Sequence, residues 1–524
     1  MSSAQLSALP EEWVASPIGE VLDSSIEQSG PSSGNKTFIY VDIGSVDNAA
    51  KRIVERKELL TSAAPSRAKQ ILRRGDVLVS MTRPNLNAVA IVSDEFDGAV
   101  GSTGFYVLRS RSIEPRWMFY AVQTQGFISA MCDVVQGALY PAVRPKDIAR
   151  WACPIPPRKE QERIADTLDE LLSDLDAGVA ALERVRAKLK HYRAAVLKAA
   201  VEGSLTAQWR REHPATETAD ALLTRILAER RRRWEQAQLA KFEKAGKTPP
   251  KDWKGKYVEL AQPESENPAV LPDSWYWTSV GQLAEVGTGA TPDRGRRERY
   301  YANGTFPWVT SGCVNASHVR EPTECVTSEA LQECNLTLYP AGTLLLAMYG
   351  EGKTRGMCAE LGIESSTNQA LAAILAPKEV RGYLKLFLLK NYDDTRRAAT
   401  GGVQPNLNLG MVRSIRVPFP PLAEQFAIVE AVEAQLSVID HLERDLDARL
   451  KSAQSLRQSI LRHAFTGQLV PQDPNDEPAS ELLKRIAVER EERAQLAAVA
   501  KRKAKPAKAG RARESRRART DARE

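Results

Sequence analysis

Residues able to carry chemistry are few and scattered in this chain of 524 residues. The stretch that most invites a catalytic reading is Ala347-Met348-Tyr349-Gly350-Glu351-Gly352-Lys353-Thr354, a relaxed phosphate-loop pattern with Ala in place of the first Gly. A phosphate loop works by running into a helix whose N-terminal N–H groups face the phosphates. Here Arg355-Gly356-Met357-Cys358-Ala359-Glu360 follows without a helical stripe, so nucleotide binding is not expected. Glu351-Gly352-Lys353 also resembles the end of a nuclease carboxylate-lysine signature, but no upstream acid matches it. The six cysteines contain no C-x-x-C pair and the five histidines do not cluster beside them, which predicts reduced structural thiols and no metal site. No catalytic residue is assigned.

A second chemistry suits the loops better. Reading a base edge in the major groove calls for Arg or Lys toward guanine and Asn or Gln toward adenine. A turn and buried strand, Arg74 to Met81, lead into a loop that offers Arg83, Asn85 and Asn87. The matching loop of the second half offers Tyr349, Lys353 and Arg355. Further on, irregular segments supply Tyr140, Arg144 and Lys146, then Gln404, Asn406 and Asn408. Arg294, Arg296 and Arg297 lie in a Gly/Pro loop found only in the second half and suit phosphate contacts. Singly, each of these residues is equally well a solvated turn former; as two groups they are the strongest binding candidates in the chain.

The elements that must position these loops are written twice. Ile155-Pro156-Pro157-Arg158-Lys159-Glu160-Gln161 opens a run that closes at Gly203-Ser204-Leu205-Thr206, and Phe419-Pro420-Pro421-Leu422-Ala423-Glu424-Gln425 opens one that closes at Gly467-Gln468-Leu469-Val470. Both ends repeat at an offset of 264 residues. Ile164, Leu168, Leu171, Leu175, Leu182 and Leu189 recur at threes and fours, as do Val432, Leu436, Ile439, Leu446 and Leu450, which predicts two long helices sharing a coiled-coil seam. About 45 residues make a rod of roughly 65 to 70 Å, and the natural partner for its stripe is its own copy. Pro-Pro stands where a helix can begin and Gly where it can stop.

The rest of the frame repeats as well. Leu271-Pro272-Asp273-Ser274-Trp275 echoes Leu9-Pro10-Glu11-Glu12-Trp13 at 262, and the helix expected over Ala219 to Lys244 is echoed after the second rod at 260. The predicted fold class is α+β: two mixed α/β globular domains linked by two long antiparallel helices, with an internal pseudo-twofold repeat. The domains are expected at 1–155 and 271–419, the long helices at 156–203 and 420–467, a short helix and linker at 204–270, a C-terminal helix at 468–500 and a basic tail at 501–524. Arg116 to Ser129 reads as one helix, Arg230 to Arg233 as a solvated helix face, and the linker around Thr248-Pro249-Pro250 as too polar to pack a core.

Composition narrows the class. With 43% hydrophobic and 27% charged residues the chain is ordinary for a soluble protein, and nothing in it approaches eighteen consecutive apolar residues, so a cytoplasmic, non-membrane protein is expected. The net charge of +7 does not argue for nucleic acid by itself, because residues 501–524 carry eleven Lys or Arg and three acids, a net of +8, which leaves −1 for the remainder. Any nucleic-acid site must be a local patch.

Taken together, the two Pro-Pro-x-x-Glu-Gln openings, the two Gly-closed helices and the two Leu-Pro-x-x-Trp motifs resemble the specificity subunit of a type I restriction-modification system over residues 8 to 495. The resemblance implies two target-recognition domains, each reading half of a bipartite double-stranded DNA target. It implies a helical spacer that docks two methyltransferase subunits, with motor-nuclease subunits joining that core. It implies no chemistry in this chain, so S-adenosylmethionine, ATP and Mg would belong to partner subunits. Consistently, the sequence has no Asn-Pro-Pro-Tyr or Asp-Pro-Pro-Tyr tetrad of an adenine methyltransferase. Half-sites about one turn apart, roughly 34 Å, would face the same side of the duplex. The competing readings are a coiled-coil adaptor that never reads DNA, and an ATPase or nuclease.

Overall fold

A computed structural model describes residues 9–23, 26, 28–31, 36–135, 141–259, 270–350, 354–392, 394–396 and 407–504. The chain divides into two compact units, residues 1–183 with 447–524, and residues 184–446.

In the first unit, Val14–Pro17 pairs antiparallel with Ala152–Ile155, so the start and end of the first globular domain meet beside the first long helix. Val77–Ser80, Val-rich and buried along its whole length, is the middle strand of an antiparallel sheet, between Phe105–Leu108 and Val89–Ile91. A four-stranded sheet runs Lys57–Leu60, Thr37–Val41, Val100–Ser102, Ala68–Ile71. The helix expected over Arg116 to Ser129 is two helices, Pro115–Ala121 and Gln125–Asp133, because Thr124 caps a new start by accepting from the Phe127 N–H.

The second unit repeats this plan. Tyr276–Ser279 pairs with Arg416–Phe419, and Leu344–Ala347 lies between Leu371–Leu375 and Cys358–Leu361 as Val77–Ser80 does between its neighbours. That sheet is extended by Glu285–Thr288 on one side and His318–Val319 on the other. The parallel pairing of Tyr40 with Val100 in the first unit has its counterpart in Trp308 with Ser366.

The long helices span Arg158–Val201 and Leu422–Phe465, 44 residues each. They run antiparallel: in the first unit Asp176 pairs with Arg457, and in the second Arg193 pairs with Asp440 and Glu443. Leu168, Val432, Ile439 and Leu446 are buried, and Leu175, Leu182, Leu189, Leu436 and Leu450 are partly so. Leu171 departs from the expected seam at 38% exposure, while its neighbour Leu172 is 3% exposed. At this end the helix faces Trp117, Met118 and Phe465 as one core, so burial follows the four-residue step Ile164, Leu168, Leu172.

The repeated motifs form one lock, made twice. Trp13 Nε1 donates to Glu160 at 3.0 Å and Trp275 Nε1 to Glu424 at 2.8 Å. Gln161 and Gln425 each donate to the carbonyl of the first proline of their own motif, Pro156 at 2.9 Å and Pro420 at 2.8 Å. Gln161 Oε1 also accepts from the Glu114 N–H at 2.9 Å. The residue at the equivalent helix N-cap of the second unit is Pro377, which has no N–H, and Gln425 Oε1 is buried without a partner among the described residues. Each lock is closed by the segment that follows the other long helix: Gln472 reaches Glu160, and Thr206 and Arg210 reach Glu424. Gly467 and Gly203, at φ +72° and +76°, end the helices in the left-handed turn that lets the chain pass Pro10 and Pro272.

Two other expectations change. The linker after Lys244 folds back on its helix, with Trp253 9% exposed and stacked on Trp234 at 5.9 Å. Of the arginine block, Arg231 to Arg233 are exposed, but Arg230 turns inward and donates to the carbonyls of Gly281 and Gln282.

Candidate nucleic-acid interface

In the first unit the sheet strand Val77–Ser80 ends in a loop shaped by two left-handed residues, Arg83 at φ 49° and Asn87 at φ 47°, around a 3₁₀ turn over Pro84–Leu86. Arg83 and Asn85 are exposed. Asn87 is 7% exposed: its Nδ2 donates to the Val122 carbonyl at 2.8 Å, and its Oδ1 accepts from Lys51 at 3.0 Å. Its amide is committed inside the domain, which corrects the expectation that it faces DNA.

The segment before the long helix lies against this loop. Arg83 N–H donates to the Pro141 carbonyl and Val143 N–H to the Met81 carbonyl, both at 2.8 Å. The two groups of candidates are thereby brought together. Lys146 is exposed, whereas Arg144 spends its guanidinium on Asp147 at 3.1 Å across the turn that starts the helix Pro145–Ala149. That pair depresses the Asp147 carboxyl pKa, chiefly through its hydrogen bond to Arg144. Tyr140 lies outside the described residues.

The second unit gathers its candidates at one end of the five-stranded sheet, where Leu344–Ala347 stops, Leu371–Leu375 begins and Glu285–Thr288 stops. Tyr349 is half-buried against the core and Arg355 is half-buried, its carbonyl accepting from Arg396 at 3.2 Å. Leu407 N–H donates to the Met348 carbonyl, the same docking of the late segment as in the first unit. Asn408 occupies the position of Arg144 in the repeat and likewise caps a helix, accepting from the Met411 N–H at 2.9 Å. Lys353, Gln404 and Asn406 lie outside the described residues.

Arg294 and Arg297 converge on one carboxylate, Glu324, at 2.6 and 2.7 Å. The Arg294 guanidinium also lies over Tyr301 at 4.4 Å and Trp308 at 5.4 Å, which fixes its plane. Arg296 is looser, 3.8 Å from Asp293. Thr291 in the same loop bonds Gln369 at the edge of the sheet end just described. Glu324 and Lys51 were invisible as partners in the sequence, since each acts on a residue about 30 positions away with no motif between them.

Among the described residues the phosphate-loop look-alike lies between two antiparallel strands, Leu346 opposite Cys358, and shows no helix to receive a phosphate. Burial pushes the Cys313 and Cys358 thiols up to about 12, so neither supplies a thiolate. Among the described residues no three His, Cys, Asp or Glu side chains are grouped to hold a metal. No helix among them is long and apolar enough to cross a membrane.

Comparison with known proteins gives the same duplication. A family model described as type I restriction modification DNA specificity domain matches residues 10–184 and again 272–452, more than half of the chain. The chain is 26% identical over 510 residues to the type I restriction enzyme EcoKI specificity subunit of Escherichia coli strain K12, covering 92% of this chain and 96% of that one. It is 24% identical over 409 residues to the EcoDI specificity subunit of Escherichia coli, covering 74% and 79%. A chain from a structure on complex assembly and conformational transition of the type I R-M system superposes with a TM-score of 0.61 at 23% identity, over 88% of this chain and 99% of that one.

Proposed function

The chain belongs to the type I restriction modification DNA specificity family and is a specificity subunit, and from that premise we propose that it reads a bipartite duplex target, one half with each unit. The observation that carries this is the pair of sheets whose central three strands follow the same order, each with the late segment docked by a backbone hydrogen bond just past the end of its middle strand, beside the candidate side chains. In the first unit Arg83, Asn85 and Lys146 are the readers. In the second, Arg294 and Arg297 hold phosphates or guanine edges, with Tyr349 and Arg355 as further candidates. Lys353, Gln404, Asn406 and Tyr140 remain candidates from the sequence alone. The family match does not favour a coiled-coil adaptor that ignores DNA.

The chain itself performs no reaction on this reading. Two methyltransferase subunits dock on the long helices, motor-nuclease subunits join them, and S-adenosylmethionine, ATP and Mg serve those partners in the cytoplasm. Apolar side chains left open on the helices, Leu171 and Leu456 in the first unit and Val438 and Leu442 in the second, suit such docking.

Methylation mapping of DNA modified by the chain with its methyltransferase partner tests the proposal. The expected result is a motif in two parts separated by unread base pairs. Arg83→Ala with Asn85→Ala should relax one part, and Arg294→Ala with Arg297→Ala the other. A single contiguous motif, or relaxation of both parts by either pair, would refute the two-reader scheme.

A further inference from the structure

The loop that carries Arg83 and Asn85 has no regular secondary structure beyond one 3₁₀ turn, and both of its ends are left-handed non-glycine residues. Such a loop keeps one shape only if something outside it holds it. The holder is Lys51, at the tip of the hairpin formed by Val46–Asp47 and Arg52–Ile53 and itself left-handed at φ 52°. Its Nζ donates to both the carbonyl of Asn87 at 2.5 Å and Asn87 Oδ1 at 3.0 Å. Asn87 Nδ2 passes the restraint to the Val122 carbonyl, and the next residue, Gln123, accepts from Gln458 of the second long helix at 3.3 Å. Gln458 also accepts from the Gln125 N–H at 3.0 Å. A continuous line of hydrogen bonds thus runs from the exposed loop to the helical part of the same unit.

We propose that Lys51 is a positioning residue for target reading by the first unit, holding the Arg83–Asn87 loop through Asn87 and tying it to the second long helix. The proposal rests on the reading of that loop as DNA-facing. Lys51 is poorly suited to contact DNA itself, because it lines a cavity of about 250 Å³ with Tyr120, Asp169, Asp176 and Arg457. Burial there and the nearby Arg457 bring its ammonium down from 10.5 to about 8 against the opposing effect of Asp47, an arrangement kept at a cost in charge stability. A lysine needed only for surface solubility would not be held in this way.

The test uses the full chain assembled with its methyltransferase partner and duplexes carrying single base changes in either half of the mapped target. Lys51→Met is expected to weaken binding of the intact target by on the order of tenfold, the size of losing a hydrogen bond from a charged donor. It should flatten the penalties for base changes in one half-site and leave the other unchanged. In an Arg83→Ala background the further loss should be much smaller, since both substitutions act through one loop. Lys51→Arg, which keeps a charged donor, should recover part of the discrimination and also reports on the brace should Lys51→Met fold poorly. If Arg83→Ala weakens binding but Lys51→Met leaves half-site discrimination intact, the brace is wrong and the reading loop stands. If Arg83→Ala itself has no effect, the loop does not read and the brace falls with it.

Discussion

Replacing Pro377 by Ala should stabilise the second unit, an unusual outcome for a substitution at a helix start. Pro377 caps the helix Lys378–Lys390 with φ −52° and ψ 144°, values an alanine reaches without strain. Its counterpart, Glu114, gives its N–H to Gln161 Oε1 at 2.9 Å, whereas Gln425 Oε1 is buried and unpaired. A buried acceptor without a donor costs about 1 to 3 kcal/mol, and an alanine N–H at 377 would remove that cost. Against it stands the wider freedom of the unfolded chain once proline is gone, about 0.4 to 1 kcal/mol. The net expectation is a gain of about 1 kcal/mol, measured as a higher urea midpoint at unchanged m-value with hydrogen exchange of Lys378–Lys390 assigning it to this unit. In a Gln425→Met background no acceptor remains, so Pro377→Ala should then destabilise by about 0.4 to 1 kcal/mol. Equal effects of Pro377→Ala in the two backgrounds would refute the reasoning, because the proposed hydrogen bond would then contribute nothing.

Two further outcomes follow from the locks. Burial raises the Glu160 pKa above 4.5 against hydrogen bonds from Trp13 and Gln472 that lower it. The folded chain therefore holds a proton the unfolded chain has already released, and its stability falls as pH rises from 4.5 through the raised value. Relative to Glu160→Gln, wild type should lose ground over that window in pH-dependent denaturation, and a flat difference would contradict the assignment. Gly467→Ala should cost about 1 to 2 kcal/mol or more, since it combines φ +72° with a Cβ placed 2.3 Å from Pro10 Cγ. Gly178→Ala, inside the first long helix with nothing within 4 Å, should instead gain about 0.5 to 1 kcal/mol by thermal melting.

The frame was readable in the sequence because it depends on local patterns. Pro-Pro openings, terminal glycines and three-and-four spacing each act within a few residues, and the structure places the long helices at Arg158–Val201 and Leu422–Phe465 and the following helix at Ala219–Lys244. The loops were less readable because side-chain direction there depends on single dihedrals. Asn85 and Asn87 are alike in sequence, yet one left-handed residue turns Asn87 inward to Val122 while Asn85 stays in solvent. Glu324 changes what Arg294 and Arg297 can do, and only the pairing of Trp308 with Glu324 brings it to them. Leu171 and Leu172 were exchanged because the spacing alone does not say that the helix there faces a globular core as well as a second helix.

The cross-closure of the two locks also sets an order of events during synthesis. The second unit is one continuous stretch, residues 184–446, and can close as soon as it leaves the ribosome. The first unit opens with residues 1–183 but lacks Leu461, Phe465, Leu482 and Ile486 of its core until the whole of the second unit has been made and residue 486 has followed. Until then Trp117, whose ring sits 4.1 Å from that of Phe465 in the finished unit, has no such cover. The half made first is therefore finished last. Its apolar surface stays open for the time needed to add more than 260 residues, on the order of tens of seconds at typical elongation rates. Slowing translation late in the chain should thus harm the N-terminal unit and spare the one that follows it.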